Sequence, residues 1–402
     1  MPPDPAPTLA FEGEEYVRRL ASLRMAMDEA GLDALILSDP ANMRWLTGAA
    51  ASPVDGPGGH AAVLATLSGA PLWWGPEAAL PAAKRSCWMA DGALRAFAAP
   101  EQDGPHPFSA LADLLLELKL GRARIGVELD APRFTAAGVG ALLARCGNAQ
   151  YLDATGLANG VRLVKSAAEI ALIREAAALS EAVHGAIREE IRPGVSCAAL
   201  TAEIARALHL GFEESGGAAP AVPASFDPAA EAVAPGLAPA LAAAPAAAAS
   251  LAAGAPVVIA IPAAQLGYHA LEIRSASLGP VEAEAARTEA ALRAAMGAAL
   301  AAAAPGAPAG LMAEAGEAAL AAKGIEGGRV AGAAIGLAAA PEWREGSLAV
   351  DAGAGAPTPI GATLHLCAEA PTETGLLRLG RTILMTEEGA EPLSGDPEAF
   401  EI

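Results

Sequence analysis

The sequence predicts two domains: an α/β domain over residues 1–160, then a second domain of helices and returning strands over residues 161–402. Three features carry that reading. Helical periodicity alternates with short apolar runs through the first 160 residues, the pattern of helices laid on a sheet. A polar hinge, Arg162-Leu163-Val164-Lys165-Ser166, interrupts the alternation. At roughly 100–200 residues per domain, a chain of 402 residues also has room for two or three domains.

The first helix runs from Glu12 to Ala30, where Tyr16, Leu20, Leu23 and Met27 recur at three- and four-residue steps and Gly31 closes the pattern. Leu35-Ile36-Leu37 forms a short buried strand ending at Ser38-Asp39-Pro40. Ala61 to Leu67 and Leu72 to Trp74 are strands separated by the turn pair Ser68-Gly69. A helix from Phe108 to Leu120 precedes the strand Ile125 to Leu129. Past the hinge, helices span Ala168 to Ile191 and Ala198 to Leu210. The Pro/Ala/Gly stretch from Gly216 to Gly254 has no periodicity and reads as a loop. Strands return at Pro256–Ile261 and Gly267–Leu278, followed by helices Glu282–Ala304 and Leu311–Lys323. Thr363–Ala368 and Leu376–Thr386 are the closing strands.

Composition narrows the function classes. With 53% hydrophobic and 18% charged residues, the chain buries a large core, so disorder is excluded as its overall state. The charge balance, 26 − 46 = −20, repels nucleic-acid phosphates and anionic lipid, so neither nucleic acid nor a membrane is an expected partner. No stretch reaches the ~20 unbroken apolar residues of a membrane helix. The start, Met1-Pro2-Pro3-Asp4-Pro5, has neither the basic nor the apolar region of a signal peptide. Cys87, Cys146, Cys197 and Cys367 form no CxxC pair and read as reduced thiols. A cytoplasmic protein is expected.

Several segments resemble the creatinase/aminopeptidase P superfamily in order and spacing. They are Glu15-Tyr16 with Arg19 and Leu23-Arg24, Gly31-Leu32-Asp33-Ala34-Leu35, Asp39-Pro40-Ala41-Asn42-Met43, and Trp45-Leu46-Thr47-Gly48. Val164-Lys165-Ser166 with Glu169, Gly267-Tyr268-His269 with Arg274, and Glu391-Pro392-Leu393-Ser394 continue the series. Ala83-Lys84-Arg85, Ala123 to Glu128, Ile335-Gly336-Leu337 and Pro341-Glu342-Trp343 are similar to the ectoine hydrolases within it. The resemblance spans nearly the whole chain. It implies an α+β "pita-bread" fold for the second domain, a homodimer, and a hydrolase of small molecules.

Metal-dependent members of that superfamily hold two metal ions with two Asp, one His and two Glu. Carried onto this chain, those positions are Ala260, Leu271, Ala333, Cys367 and Gly380. None is a ligand for a hard divalent ion, so neither metal nor other cofactor is expected. The metal-free members imply instead a water-activating His near Gly236, a Glu at Ala260 and a Glu at Arg378. Here no His occurs between His209 and His269, and Ala49-Ala50-Ala51-Ser52-Pro53 stands where aromatic residues would box the substrate.

Strand parity proposes a replacement. His269 and Ile273 share a face with Leu271, His365 and Glu369 share one with Cys367, and Arg378 shares one with Gly380. His269, His365 and Cys367 are the candidate catalytic residues, with Glu369 and Arg378 binding substrate. A Cys beside a His can supply a thiolate, and an Arg can orient an anion. Two His and one Cys would alternatively suit zinc. Against these stand plainer roles: a hydrogen-bonded structural His, a small core Cys, a Glu272–Arg274 pair, and His60 as a turn residue. Glu342 and Glu345, beside Trp343, read as solvated loop residues. Two functions follow. One is a metal-independent C–N hydrolase of a small polar, compatible-solute-like metabolite; the other is a degenerate relative that binds a ligand or partner without turnover.

Overall fold

The computed structural model describes residues 9–49, 60–98, 104–131, 134–196, 198–200, 202–204, 206–207, 256–277, 283–338, 343–373 and 375–395. The chain divides into two compact units, Met1–Arg162 and Leu163–Ile402.

In the first unit, strands β1 (Ala34–Leu37), β2 (Ala62–Thr66), β3 (Leu72–Pro76), β4 (Leu94–Phe97), β5 (Arg124–Val127) and β6 (Gln150–Asp153) form one sheet in the order β4-β3-β2-β1-β5-β6. Helices α1 (Gly13–Glu29), α2 (Pro40–Thr47), α3 (Leu80–Ser86), α4 (Phe108–Glu117), α5 (Ala136–Cys146) and α6 (Leu157–Arg162) complete it. The stripe expected on α1 is buried, from Tyr16 through Leu20 and Leu23 to Met27. Asp39 caps α2 by accepting from the Asn42 N–H at 2.9 Å, which holds the Asp-Pro-Ala-Asn segment in place. Behind that cap the buried Glu128 accepts from the N–H groups of Ser38 (2.6 Å) and Asp39 (2.7 Å) and from Asn42 Nδ2 (2.6 Å). Arg162 donates to Asn42 Oδ1 at 2.5 Å. Buried backbone donors at a strand end are thus answered by one carboxylate, as buried polar groups must be.

The second unit opens with α7 (Ala167–Ala186), started by a capping box in which Ser166 and Glu169 exchange side-chain-to-backbone bonds. Residues 198–200, 202–204 and 206–207, within the expected second helix, are helical. The rest of that helix, the Ala/Pro-rich tract 218–254, the positions around Gly236, residues 50–53 and residues 341–342 lie outside the described residues. Strands β7 (Pro256–Gln265), β8 (Tyr268–Ser277), β9 (Arg329–Ile335), β10 (Arg344–Val350), β11 (Thr363–Thr372) and β12 (Gly375–Thr386) form a sheet in the order β10-β9-β11-β12-β8-β7, and β13 (Gly389–Pro392) pairs with β12. Two Ala-rich helices of high helix propensity, α8 (Ala283–Ala302) and α9 (Gly310–Ala322), cover one face. Met296, Met312 and Leu320 pack there with Val330, Leu364, Leu366 and Ile383 in a single buried cluster. The odd-numbered residues of β11, from His365 to Glu369, therefore face the opposite side, the pit.

Glu345 corrects the sequence reading. Far from being a solvated loop residue, it lies on β10 with its side chain 1% exposed and accepts from Lys165 Nζ at 2.5 Å. Its other oxygen accepts from the Leu337 N–H at 3.1 Å. The partner lies 180 residues away in sequence, so no local pattern announces the pair.

Candidate functional site: the pit of the second unit

The strand register places the five positions of the resemblance on two adjacent rows of the pit. Ala260 of β7 pairs with Ile273 of β8, Ile273 with Gly380 of β12, Gly380 with Cys367 of β11, and Cys367 with Ala331 of β9. In the next row His365 stands between Thr382 and Ala333. Thr382 Oγ1 accepts from the Leu271 N–H at 2.9 Å and donates to its carbonyl at 3.0 Å, tying Leu271 into the same row. Ala260, Leu271 and Ile273 pack in one cluster with Val258 and Ile335, against which Trp343 and Cys367 rest. The floor is apolar where the resemblance puts carboxylates. Among the described residues, no group of three or more His, Cys, Asp or Glu is placed to hold a metal ion. That includes His269, His365 and Cys367.

His365 is the buried polar group of this floor. Its Nδ1 lies 3.1 Å from the Leu271 carbonyl, which can only accept, so Nδ1 carries the proton. Burial pushes its pKa down to about 4, leaving a neutral ring whose Nε2 bears a lone pair. Nε2 is buried and has no hydrogen-bond partner among the described residues. The Trp343 ring meets the imidazole edge-on, with centroids 5.4 Å apart. Gly380 makes the seat possible. A Cβ there would stand 2.7 Å from His365 Cε1, 2.9 Å from Nε2 and 3.0 Å from Ile273 Cβ, contacts that real Cβ atoms hardly tolerate.

The remaining predicted residues divide. Cys367 is half-buried in the row beside His365, and its thiol donates to the Ala368 carbonyl at 3.8 Å. Glu369 and Arg378 are cross-strand partners one row further on, joined by a 2.9 Å bond from Arg378 Nε, with both side chains about one-third exposed. Each is therefore already engaged by the other. His269 stands apart at the start of β8, where its backbone N–H and its ring Nδ1 both approach the Gly336 carbonyl, at 2.8 and 3.2 Å. Glu272 and Arg274 do pair, at 2.8 Å. Sequence reasoning missed Trp343 and Thr382 as neighbours of His365, and it read Gly380 only as a lost carboxylate. A glycine inside a long strand is itself a sign of close approach, and that signal was available.

The comparisons with known proteins agree with this architecture. The Creatinase/Prolidase N-terminal domain matches residues 19–164 and metallopeptidase family M24 matches residues 171–387. The ectoine hydrolase of Halomonas elongata is 31% identical over 401 residues, covering 97% of this chain and 98% of the relative. Among solved structures, the dipeptidase PepE from Mycobacterium ulcerans superposes with a TM-score of 0.77 at 24% identity, over 97% of this chain and 99% of that one. The X-Pro aminopeptidase from Thermotoga maritima gives 0.76 at 20% identity, over 95% and 99%. Those two likenesses concern the fold alone. No described helix is long and apolar enough to cross a membrane. With a whole-length relative and matching profiles over both units, the chain belongs to metallopeptidase family M24 behind a creatinase-type N-terminal domain, as a hydrolase-like member of the pita-bread superfamily.

Proposed function

We propose that the pit binds a small polar metabolite of the compatible-solute kind and does not hydrolyse it. The observation that carries this reading is the floor itself: Ala260, Leu271, Ala333, Cys367 and Gly380 occupy two neighbouring rows and offer no carboxylate or imidazole. Hydrolysis needs a base whose pKa lies near the working pH and whose lone pair reaches water. His365 falls far below that range, Glu369 is paired with Arg378, and His269 stands at the start of β8, outside the rows that hold Cys367 and His365. No His stands between His209 and His269 to replace them.

The relative's name supports a second reading, a metal-independent C–N hydrolase. A protein 31% identical over its whole length is an ectoine hydrolase. On that reading His269, His365 and Cys367 would be catalytic, with Glu369 and Arg378 binding substrate. Proton NMR of ectoine with the purified chain, followed for hours, separates the two. Saturation transfer to intact ectoine without new signals is the expected result. Ring-opened product signals would establish the hydrolase reading, and neither transfer nor product would remove this ligand from the first. A cytoplasmic homodimer is part of the proposal, in line with the superfamily resemblance. Light scattering is expected to give twice the chain mass, and a mass of one chain at micromolar concentration would refute the dimer.

A further inference from the structure

The second unit holds several buried polar groups besides those of the pit. The Lys165–Glu345 pair is closed upon itself, and Glu272 is engaged by Arg274 on one oxygen with His184 beside its backbone. His365 differs, because its Nε2 is buried without a hydrogen-bond partner among the described residues beside Gly380, next to an apolar cluster on which the half-buried Cys367 and Trp343 rest. We infer that His365 Nε2 is the recognition point of the pit, an acceptor built to take one N–H of an uncharged small ligand such as an amide or lactam.

Three features converge on that assignment. First, the tautomer is fixed, since the Leu271 carbonyl holds the proton on Nδ1 and leaves Nε2 as a pure acceptor. Second, the ring is rigidly seated. It is clamped between the edge of Trp343 and the bare backbone of Gly380, where any side chain would collide with it. Third, the surroundings select. Ala260, Leu271, Ile273 and Ile335 make the surroundings apolar and offer Nε2 no competing donor, as in small-molecule sites with few, well-placed polar groups. A buried acceptor left unmatched is penalised, so a ligand that donates there gains over one that presents its own lone pair. Gly380 is accordingly a positioning residue, acting through the imidazole.

This inference rests on the reading that the pit takes a small polar molecule, and its test separates the two. The probes are 2-pyrrolidinone and γ-butyrolactone, rings of one shape in which N–H is exchanged for O. The full chain, labelled with 15N-histidine, is titrated with each while the ring-nitrogen shifts are followed; His365→Phe assigns the signal. The lactam is expected to bind about tenfold or more tightly than the lactone and to shift Nε2 but not Nδ1 of His365. Gly380→Ala, which displaces the ring, is expected to abolish that preference. Equal binding of the two probes, or saturation transfer to the lactam with the His365 signals unmoved, overturns the assignment while leaving the pit a binding site. Binding of neither probe at tens of millimolar overturns it as well, whatever ectoine does. Should His365→Phe or Gly380→Ala not fold, the shifts of the unsubstituted protein decide alone, with the signal identified by its fixed tautomer.

Discussion

Replacement of Glu345 by Ala is expected to destabilise the second unit by about 3–5 kcal/mol, the usual cost of stripping one partner from a buried ion pair. The carboxylate and the Lys165 ammonium are each 1% exposed and 2.5 Å apart. Without Glu345, the ammonium keeps the Leu163 carbonyl at 3.3 Å among the described residues, and the bond from the Leu337 N–H to the Glu345 carboxylate is lost. Truncating both partners together is expected to cost less than the sum of the single changes, because the second truncation removes the stranded charge. The arrangement also explains Gly336, where a Cβ would press on Glu345 Oε1. Urea unfolding of Glu345→Ala, Lys165→Met and the double variant measures these effects. Additive losses, each under about 1 kcal/mol, would show that the pair is not buried in solution.

Acid is expected to unfold the second unit through two histidines. Burial pushes His365 down to about 4 and His184 down to about 3, both from the ordinary 6.5. The Arg274 guanidinium adds to the depression at His184, whose Nε2 donates to the Glu272 carbonyl at 3.3 Å. The native state therefore binds fewer protons than the unfolded chain between those values and 6.5. The stability that follows is present above about 6.5 and is lost as pH falls through 4 and then 3. Each histidine contributes a slope approaching about one proton per molecule between its folded pKa and 6.5, so the two slopes add over the range where both windows overlap. Amide hydrogen exchange of β11 at pH 7, 6 and 5 reads this directly. His184→Gln combined with His365→Gln is expected to flatten the profile. An unchanged slope in that double variant would mean that groups held down by a partner, such as Glu391 beside Arg174, govern the acid limit.

What the sequence showed depended on how far apart the interacting residues lie along it. The stripe on α1 is a local pattern, and it gave the correct buried face. β9 reads Arg-Val-Ala-Gly-Ala-Ala-Ile, with too few β-branched or aromatic side chains to mark a strand, so its place between β10 and β11 was invisible. Strand parity put His365, Cys367 and Glu369 on one face, and the register sets them in successive rows. Parity could not reveal that Glu369 is tied to Arg378, or that His269 is tied to the Gly336 carbonyl. Nor could it see Lys165 beneath Glu345, since the charged run Arg344-Glu345 next to Gly346 looks solvated in isolation.

The fit of the His365 ring over bare backbone at Gly380 also constrains the order in which this protein can change. Any residue larger than glycine at that position meets the imidazole before it reaches the pit. A carboxylate therefore cannot be introduced there by one substitution while His365 stays. The histidine would have to leave first, and the chain would then carry an unfilled space next to Ile273 and Trp343. That intermediate has a cavity in the floor, so it is less stable than the present chain. The two positions are coupled, and the way to a carboxylate in this floor leads through a weaker protein.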